Sequence, residues 1–179
     1  MLQYRAGDPD AFHTLYFRYH NKLHRFVTRA LAGRRSEADE VFQETWLAVI
    51  RGRGRYSPSS TFASYLFGIA HRRAADHWRR RYREWSATPP ESGTLGKVEA
   101  VSPLTDSVER SLSNAQLGAA MLAAVGNLPE EQRTAFLLRA EGGLSLAEIA
   151  QITGVVQETV KSRLRYALDK LRTALESWQ

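Results

Sequence analysis

The chain has no cysteine among its 179 residues, which excludes disulfide staples and thiolate metal ligands and fits a reducing compartment. No apolar run approaches the ~20 residues that a membrane span requires. The segment Met1 to Asp10 is polar and lacks the hydrophobic stretch of a secretory signal, so a cytoplasmic protein is expected. Strand-like alternation of useful length and internal repeats are both missing. So are a phosphate-cradling glycine loop, a His-Glu-x-x-His helix and a nucleophile elbow. His71, Asp76 and His77 lie close in sequence. On a helix, however, ~500° and ~600° of rotation separate the second and third from the first, so the three share no face. No catalytic residue, metal or cofactor is expected.

What is present is a folding composition, 43% hydrophobic and 25% charged. A chain of this length can bury one moderate core or two small ones, since compact domains usually run to ~100–150 residues. The net charge is +6, a balance that favours polyanions. Residues 1–85 carry 16 basic against 8 acidic side chains, residues 86–113 carry 2 against 4, and residues 114–179 carry 7 against 7. The polyanion footprint therefore lies in the first half.

Helical periodicity runs through the chain. Phe12, Leu15, Tyr16, Tyr19, Leu23, Phe26 and Val27 share one face, opened by Asp8 as cap with Pro9 in the first turn and ended by Gly33. Ser36 offers a second cap ahead of Val41, Phe42, Thr45, Trp46 and Val49. Gly52 to Ser60 reads as a loop. A long helix from about Thr61 ends in the basic run Trp78-Arg79-Arg80-Arg81 and is expected to stop before Pro89-Pro90. Residues 86–113, rich in Pro, Ser, Gly and Thr, read as a flexible linker. Some 25 extended residues could span up to ~85 Å at ~3.4 Å each. Patterning resumes near Ala115, and Pro129-Glu130-Glu131 opens a further helix with acid in its first turn.

Ser145-Leu-Ala-Glu148 is a capping box, Gly154 closes its short helix, and the last helix runs from Gln157 to about Ser177. Those are helix-turn-helix proportions. Val160, Leu164, Ala167, Leu168, Leu171 and Leu175 form the expected buried stripe of the last helix. Its other face carries Glu158, Thr159, Ser162, Arg165, Tyr166 and Asp169, with Lys161 and Arg163 on its flanks, and the short polar and basic groups Thr159, Lys161, Ser162, Arg163, Arg165 and Tyr166 suit base edges and phosphates in a major groove. The fold class is all-α, with two small helical domains, a linker between them and a helix-turn-helix at the C-terminus.

From Leu128-Pro129-Glu130-Glu131-Gln132-Arg133, through Gly143-Leu144-Ser145-Leu146-Ala147-Glu148-Ile149-Ala150, to Glu158-Thr159-Val160-Lys161-Ser162-Arg163-Leu164, the chain resembles the promoter-reading domain of bacterial extracytoplasmic-function sigma factors. The shorter Glu-Ile-Ala and Thr-Val-Lys pieces also occur in LuxR-type regulator heads. Ala6-Gly7-Asp8-Pro9-Asp10-Ala11-Phe12 with Leu15-Tyr16, then Glu37 to Trp46, and then Phe62 to Ala70 leading into Asp76 to Arg81, look like the N-terminal domain of the same sigma group. The two half-matches stand in family order.

The resemblance implies that residues 1–85 form the sigma region 2 domain, which docks on core RNA polymerase and recognises and melts the minus-10 element. Residues 114–179 would form the region 4 domain that reads the minus-35 element. Asp39, Glu40, Gln43, Glu44 and Trp46 align with the segment that docks on the beta-prime clamp helices, and the beta flap is the other polymerase contact. Tyr56, Ser59 and Ser60 in the loop, with Arg72, Arg73, Trp78, Arg79, Arg80 and Arg81 on the following helix, align with the minus-10 surface. Aromatic stacking and cationic contacts are what single-stranded DNA requires. The implied partners are core polymerase, promoter DNA and an anti-sigma factor. Where the family often has Arg, this chain has Tyr166 and Leu168, so its minus-35 contacts rest on Lys161, Ser162, Arg163 and Arg165. The alternative reading is a stand-alone helix-turn-helix regulator that binds duplex DNA as a dimer.

Overall fold

The computed structural model describes residues 1–87 and 108–176. Among them every regular element is helical: α1 (Leu2–Arg5), α2 (Pro9–Ala30), α3 (Arg35–Arg51), a single 3-10 turn at Arg53–Arg55, α4 (Phe62–Ala87), α5 (Val108–Gly126), α6 (Glu130–Ala140), α7 (Leu146–Thr153) and α8 (Gln157–Leu175). Residues 88–107 of the expected linker lie outside the described residues. Its C-terminal end, from Val108, is already the first turn of α5.

Local chemistry explains most of the boundaries. The Asp8 carboxylate accepts from the N–H groups of Asp10 and Ala11, with Pro9 at the first helical position of α2. The expected Ser36 cap is not used. Helix α3 starts earlier, after Arg34, which makes no side-chain capping bond. The four-residue α1 was not foreseen, because an isolated helix that short has no stability of its own. Tertiary contacts hold it: Tyr4 is buried, with its ring 5.1 Å from that of Phe12.

In the first unit α2, α3 and α4 pack around Leu23, Phe26, Val27, Val41, Val49, Leu66 and Phe67, with Phe26 and Phe67 edge to face at 5.3 Å. In the second, α5 to α8 enclose Leu137, Leu138, Leu144, Ile149 and Val160. Among the described residues Arg133 is the one buried cation of that core. It donates to the Gly126 carbonyl at 3.0 Å and so satisfies the C-terminal end of α5.

The two units pack against each other, α2 against α5 and α6, and α4 against α7. Arg25 Nε donates to Glu141 Oε2 at 2.9 Å and Arg29 binds the other oxygen, so the 7%-exposed Glu141 carboxylate is matched by two guanidinium groups. Thr61 donates to Glu148 at 2.6 Å. Between these polar contacts Gly68 abuts Ile152, where an added Cβ would lie 3.6 Å from Ile152 Cγ1.

Candidate nucleic-acid interface and docking surface

Helix α7 is set by the capping box foreseen from sequence. The Ser145 hydroxyl accepts from Glu148 N–H at 3.2 Å, and the Glu148 carboxylate accepts from Ser145 N–H at 2.9 Å. The Thr61 hydrogen bond, followed by those from Ser145, holds the Glu148 carboxyl below its ordinary pKa. Gly154 ends α7 at φ 71°, a left-handed position at which a side chain would be strained. Val156 then begins α8 in extended geometry.

On α8, Lys161, Ser162, Arg165 and Tyr166 are exposed and Thr159 is half-buried. The Ser162 hydroxyl donates back to the Glu158 carbonyl at 3.0 Å, leaving its lone pairs outward. The Arg165 guanidinium lies 5.0 Å over the Tyr166 ring, a cation–π contact that orients both groups together. Arg163 does not join this face. It turns inward to Glu131 at 2.7 Å and ties α8 to α6, with its side chain 18% exposed. Leu168, assigned to the buried stripe by periodicity, is 51% exposed. It lies ~80° around the helix from Val160, at the edge of the stripe, where no neighbouring helix covers it.

On α3 the core face is Ala38, Val41, Phe42, Thr45, Trp46 and Val49. Glu40 and Gln43 project to solvent on the opposite side, while Asp39, exposed at the edge of that stripe, lies 3.2 Å from His24 on α2. Glu44 leans towards α4, 3.5 Å from Arg73, and is partly neutralised there. Trp46 is 5% exposed, packed against Phe12 at 5.8 Å and Tyr16 at 5.0 Å, so its place is the core and not the docking face. Two residues the sequence reading passed over continue the exposed stripe: Leu47, 45% exposed, and Ile50, 39% exposed. The signal was available, since both fall off the apolar stripe of α3 yet are aliphatic.

The expected minus-10 surface is only partly assembled. Ser59 is exposed and Ser60 half-buried, but Tyr56 is buried against Tyr65 with ring centroids 5.0 Å apart. Burial raises the pKa of both phenols. Trp78 lies half-buried beneath the Arg34 guanidinium, 4.4 Å from the ring centroid, so one face of the ring is already occupied. Arg72, Arg79, Arg80 and Arg81 are exposed, while Arg73 is half-buried beside Glu44. Arg79 pairs with Asp76, and Arg81 with Glu37, which His77 also reaches at 3.0 Å. Arg51, Arg53 and Arg55 add exposed positive charge at the loop's start. The reading of Gly52 to Ser60 as a plain loop passed over their alternation with glycine.

The three residues weighed as a metal face point apart. Asp76 meets Arg79, His77 meets Glu37 on α3, and His71 is turned inward on the side of α4 influenced by Glu130. Burial lowers the pKa of His71 from 6.5, with Glu130 opposing and Arg72 adding to the effect. The folded state thus binds this proton less readily than the unfolded chain. Stability should fall as pH drops through the unfolded value near 6.5. Urea unfolding of wild type and His71→Gln at pH 7.5 and 5.5 measures it: the loss on acidification should be smaller in the variant. Equal losses would remove His71 from the account.

The chain thus joins a helix-turn-helix unit to a second helical unit that bears an acidic and aliphatic stripe, and both units match models of the sigma-70 class of transcription initiation factors. The Sigma-70 region 2 model matches residues 15–84, and the Sigma-70, region 4 model matches residues 119–171. The ECF RNA polymerase sigma factor SigM of Mycobacterium tuberculosis is 33% identical over 171 residues, covering 95% of this chain and 80% of SigM. The RNA polymerase sigma-H factor of Pseudomonas aeruginosa is 31% identical, covering 96% of this chain and 90% of its own. Against the Streptomyces coelicolor ECF sigma factor BldN the identity is 33%, and the chain spans 58% of that longer protein. The chain belongs to the extracytoplasmic-function RNA polymerase sigma factors. Its fold is that of Bartonella quintana RpoE, solved with the anti-sigma factor NepR, at TM-score 0.70 and 21% identity over 93% of this chain and 97% of that one. It is also that of CnrH, solved with the cytosolic domain of CnrY, at TM-score 0.65 and 22% identity over 98% and 94%. Among the described residues no helix is long and apolar enough to cross a membrane.

Proposed function

We propose that this sigma factor docks on core RNA polymerase through Asp39, Glu40, Gln43, Leu47 and Ile50. It would read the minus-35 element with Thr159, Lys161, Ser162, Arg165 and Tyr166, and open the minus-10 element with the loop 52–61 and the arginines of α4. One observation carries the reading. Helix α3 turns an acidic and aliphatic stripe to solvent, whereas the exposed charge of α4 and of the loop before it is mostly basic. That segregation suits a protein partner on one side and DNA on the other. The beta-prime clamp helices would receive the stripe, and the beta flap would receive the helix-turn-helix unit. The protein would act in the cytoplasm and carry out no catalysis of its own.

Centres 25 base pairs apart lie ~85 Å apart at ~3.4 Å per step. The Thr61–Glu148 contact, at 2.6 Å, instead joins the end of the minus-10 loop to the first helix of the helix-turn-helix. Both elements cannot be held in that arrangement. The units would therefore part on loading, and an anti-sigma factor that favoured the closed form would hold the protein inactive, consistent with two similar folds having been solved with such partners.

The test is reconstitution. The full chain, mixed with core polymerase and a forked promoter, is expected to co-elute with core and support primer-independent transcripts. Absence of both would end the sigma reading.

A further inference from the structure

We infer that the N-terminal segment, through Tyr4 and Arg5, is a strap that positions the minus-10 loop. This rests on the proposed reading of loop 52–61. The Sigma-70 region 2 model match itself begins downstream of Tyr4 and Arg5, at residue 15.

The loop has little to hold it. Its exposed tip, Ser57-Pro58-Ser59, is closed by one backbone bond, Ser59 N–H to the Ser57 carbonyl at 2.9 Å. What fixes the tip must therefore act at its two ends. At the far end the Thr61 hydroxyl accepts from Ser64 N–H at 3.1 Å and caps α4. At the near end Tyr56 is buried against Tyr65, and the backbone leaves it in extended geometry. There Arg5 Nη1 donates to the Tyr56 carbonyl at 2.8 Å, across 51 residues of sequence. Tyr4 adds a second grip, with the Arg53 guanidinium 5.4 Å over its ring. Arg5 thus holds the last fixed carbonyl before the tip with a charge-assisted bond. Tyr4, anchored on Phe12, carries the strap on α2.

A loop that must hold an unstacked base works only if its geometry is set before the base arrives, because ordering it on binding would consume affinity. Arg5 is on this account a positioning residue that touches no DNA.

The experiment uses holoenzyme made with full-length wild type, Arg5→Ala, Arg5→Lys and the tip variant Ser59→Ala/Ser60→Ala. Three quantities are read: affinity for core, affinity for a single-stranded minus-10 oligonucleotide, and the base preference of that oligonucleotide. Arg5→Ala is expected to weaken oligonucleotide binding about tenfold and flatten base preference while leaving core affinity unchanged. Arg5→Lys, which retains a cationic donor, should recover much of the loss. Equal oligonucleotide affinity and preference in Arg5→Ala and wild type would overturn the strap, as would a matching fall in core affinity, which marks general destabilisation. If the tip variant also leaves preference unchanged, the loop is not the reader and both readings fall. If the tip variant changes preference and Arg5→Ala does not, the strap alone fails.

Discussion

Gly68→Cys combined with Ile152→Cys is expected to abolish promoter-directed transcription under oxidising conditions and to restore it on reduction. The chain has no cysteine of its own, so only one disulfide can form. An added Cβ at residue 68 would lie 3.6 Å from Ile152 Cγ1, which brings the pair within reach of the ~3.5–4.5 Å Cβ separation of a disulfide. The bond would staple α4 to α7 and prevent the units from parting. Since the two promoter elements lie ~85 Å apart along B-form DNA, a stapled chain could engage one or the other but not both. Run-off transcription with the oxidised protein, its cross-link verified by mass, should fall to background and recover with dithiothreitol. A cross-linked chain as active as its reduced form would show that the closed packing is compatible with initiation. The Arg25 and Arg29 pairs with Glu141 would then be simple stabilising contacts.

The second large effect concerns α3. Glu40→Lys with Leu47→Asp should reduce affinity for core polymerase about a hundredfold, the sum of one reversed charge and one lost apolar contact at ~1–2 kcal/mol each. Both side chains are exposed and neither meets the core, so the thermal midpoint of the free protein should change little. Glu44 is the informative comparison. Its carboxylate faces Arg73 at 3.5 Å, and Glu44→Lys would also disturb the α3–α4 packing, so a loss of affinity there would be mixed with a loss of stability. Fluorescence titration of labelled core with each variant separates the cases. Unchanged core affinity in the double variant would remove α3 as the docking surface.

Local motifs were the legible part of this protein. Asp8-Pro9 starts α2, Ser145 with Glu148 boxes α7, and Gly154 ends it, because each of these acts on backbone groups within four residues. Such interactions are complete in the sequence itself. The residue types on α8 likewise marked its outward face, and Lys161, Ser162, Arg165 and Tyr166 are exposed as expected.

The side chains whose placement differs from expectation share one cause. Trp46, Tyr56 and Trp78 carry the aromatic chemistry that a partner or a flipped base would use, yet Tyr16 and Phe12, then Tyr65, then Arg34 occupy those rings first. Arg163 has the charge of a phosphate contact but the position of a helix-to-helix tie, because α6 brings Glu131 beside it. Leu47, Ile50 and Leu168 are aliphatic and therefore read as core, or were passed over, although no helix comes to cover them.

By itself, then, the sequence determined the helices, their caps, the basic first half and the two-part kinship with sigma factors, since these depend on neighbours in the chain and on composition. Which side chains remain free for DNA and polymerase was decided by tertiary structure alone. So was the closing of one unit on the other through Glu141 and Glu148. A side chain's availability depends on what packs against it, and those partners, Arg25 from Glu141 and Thr61 from Glu148, stand 116 and 87 residues away.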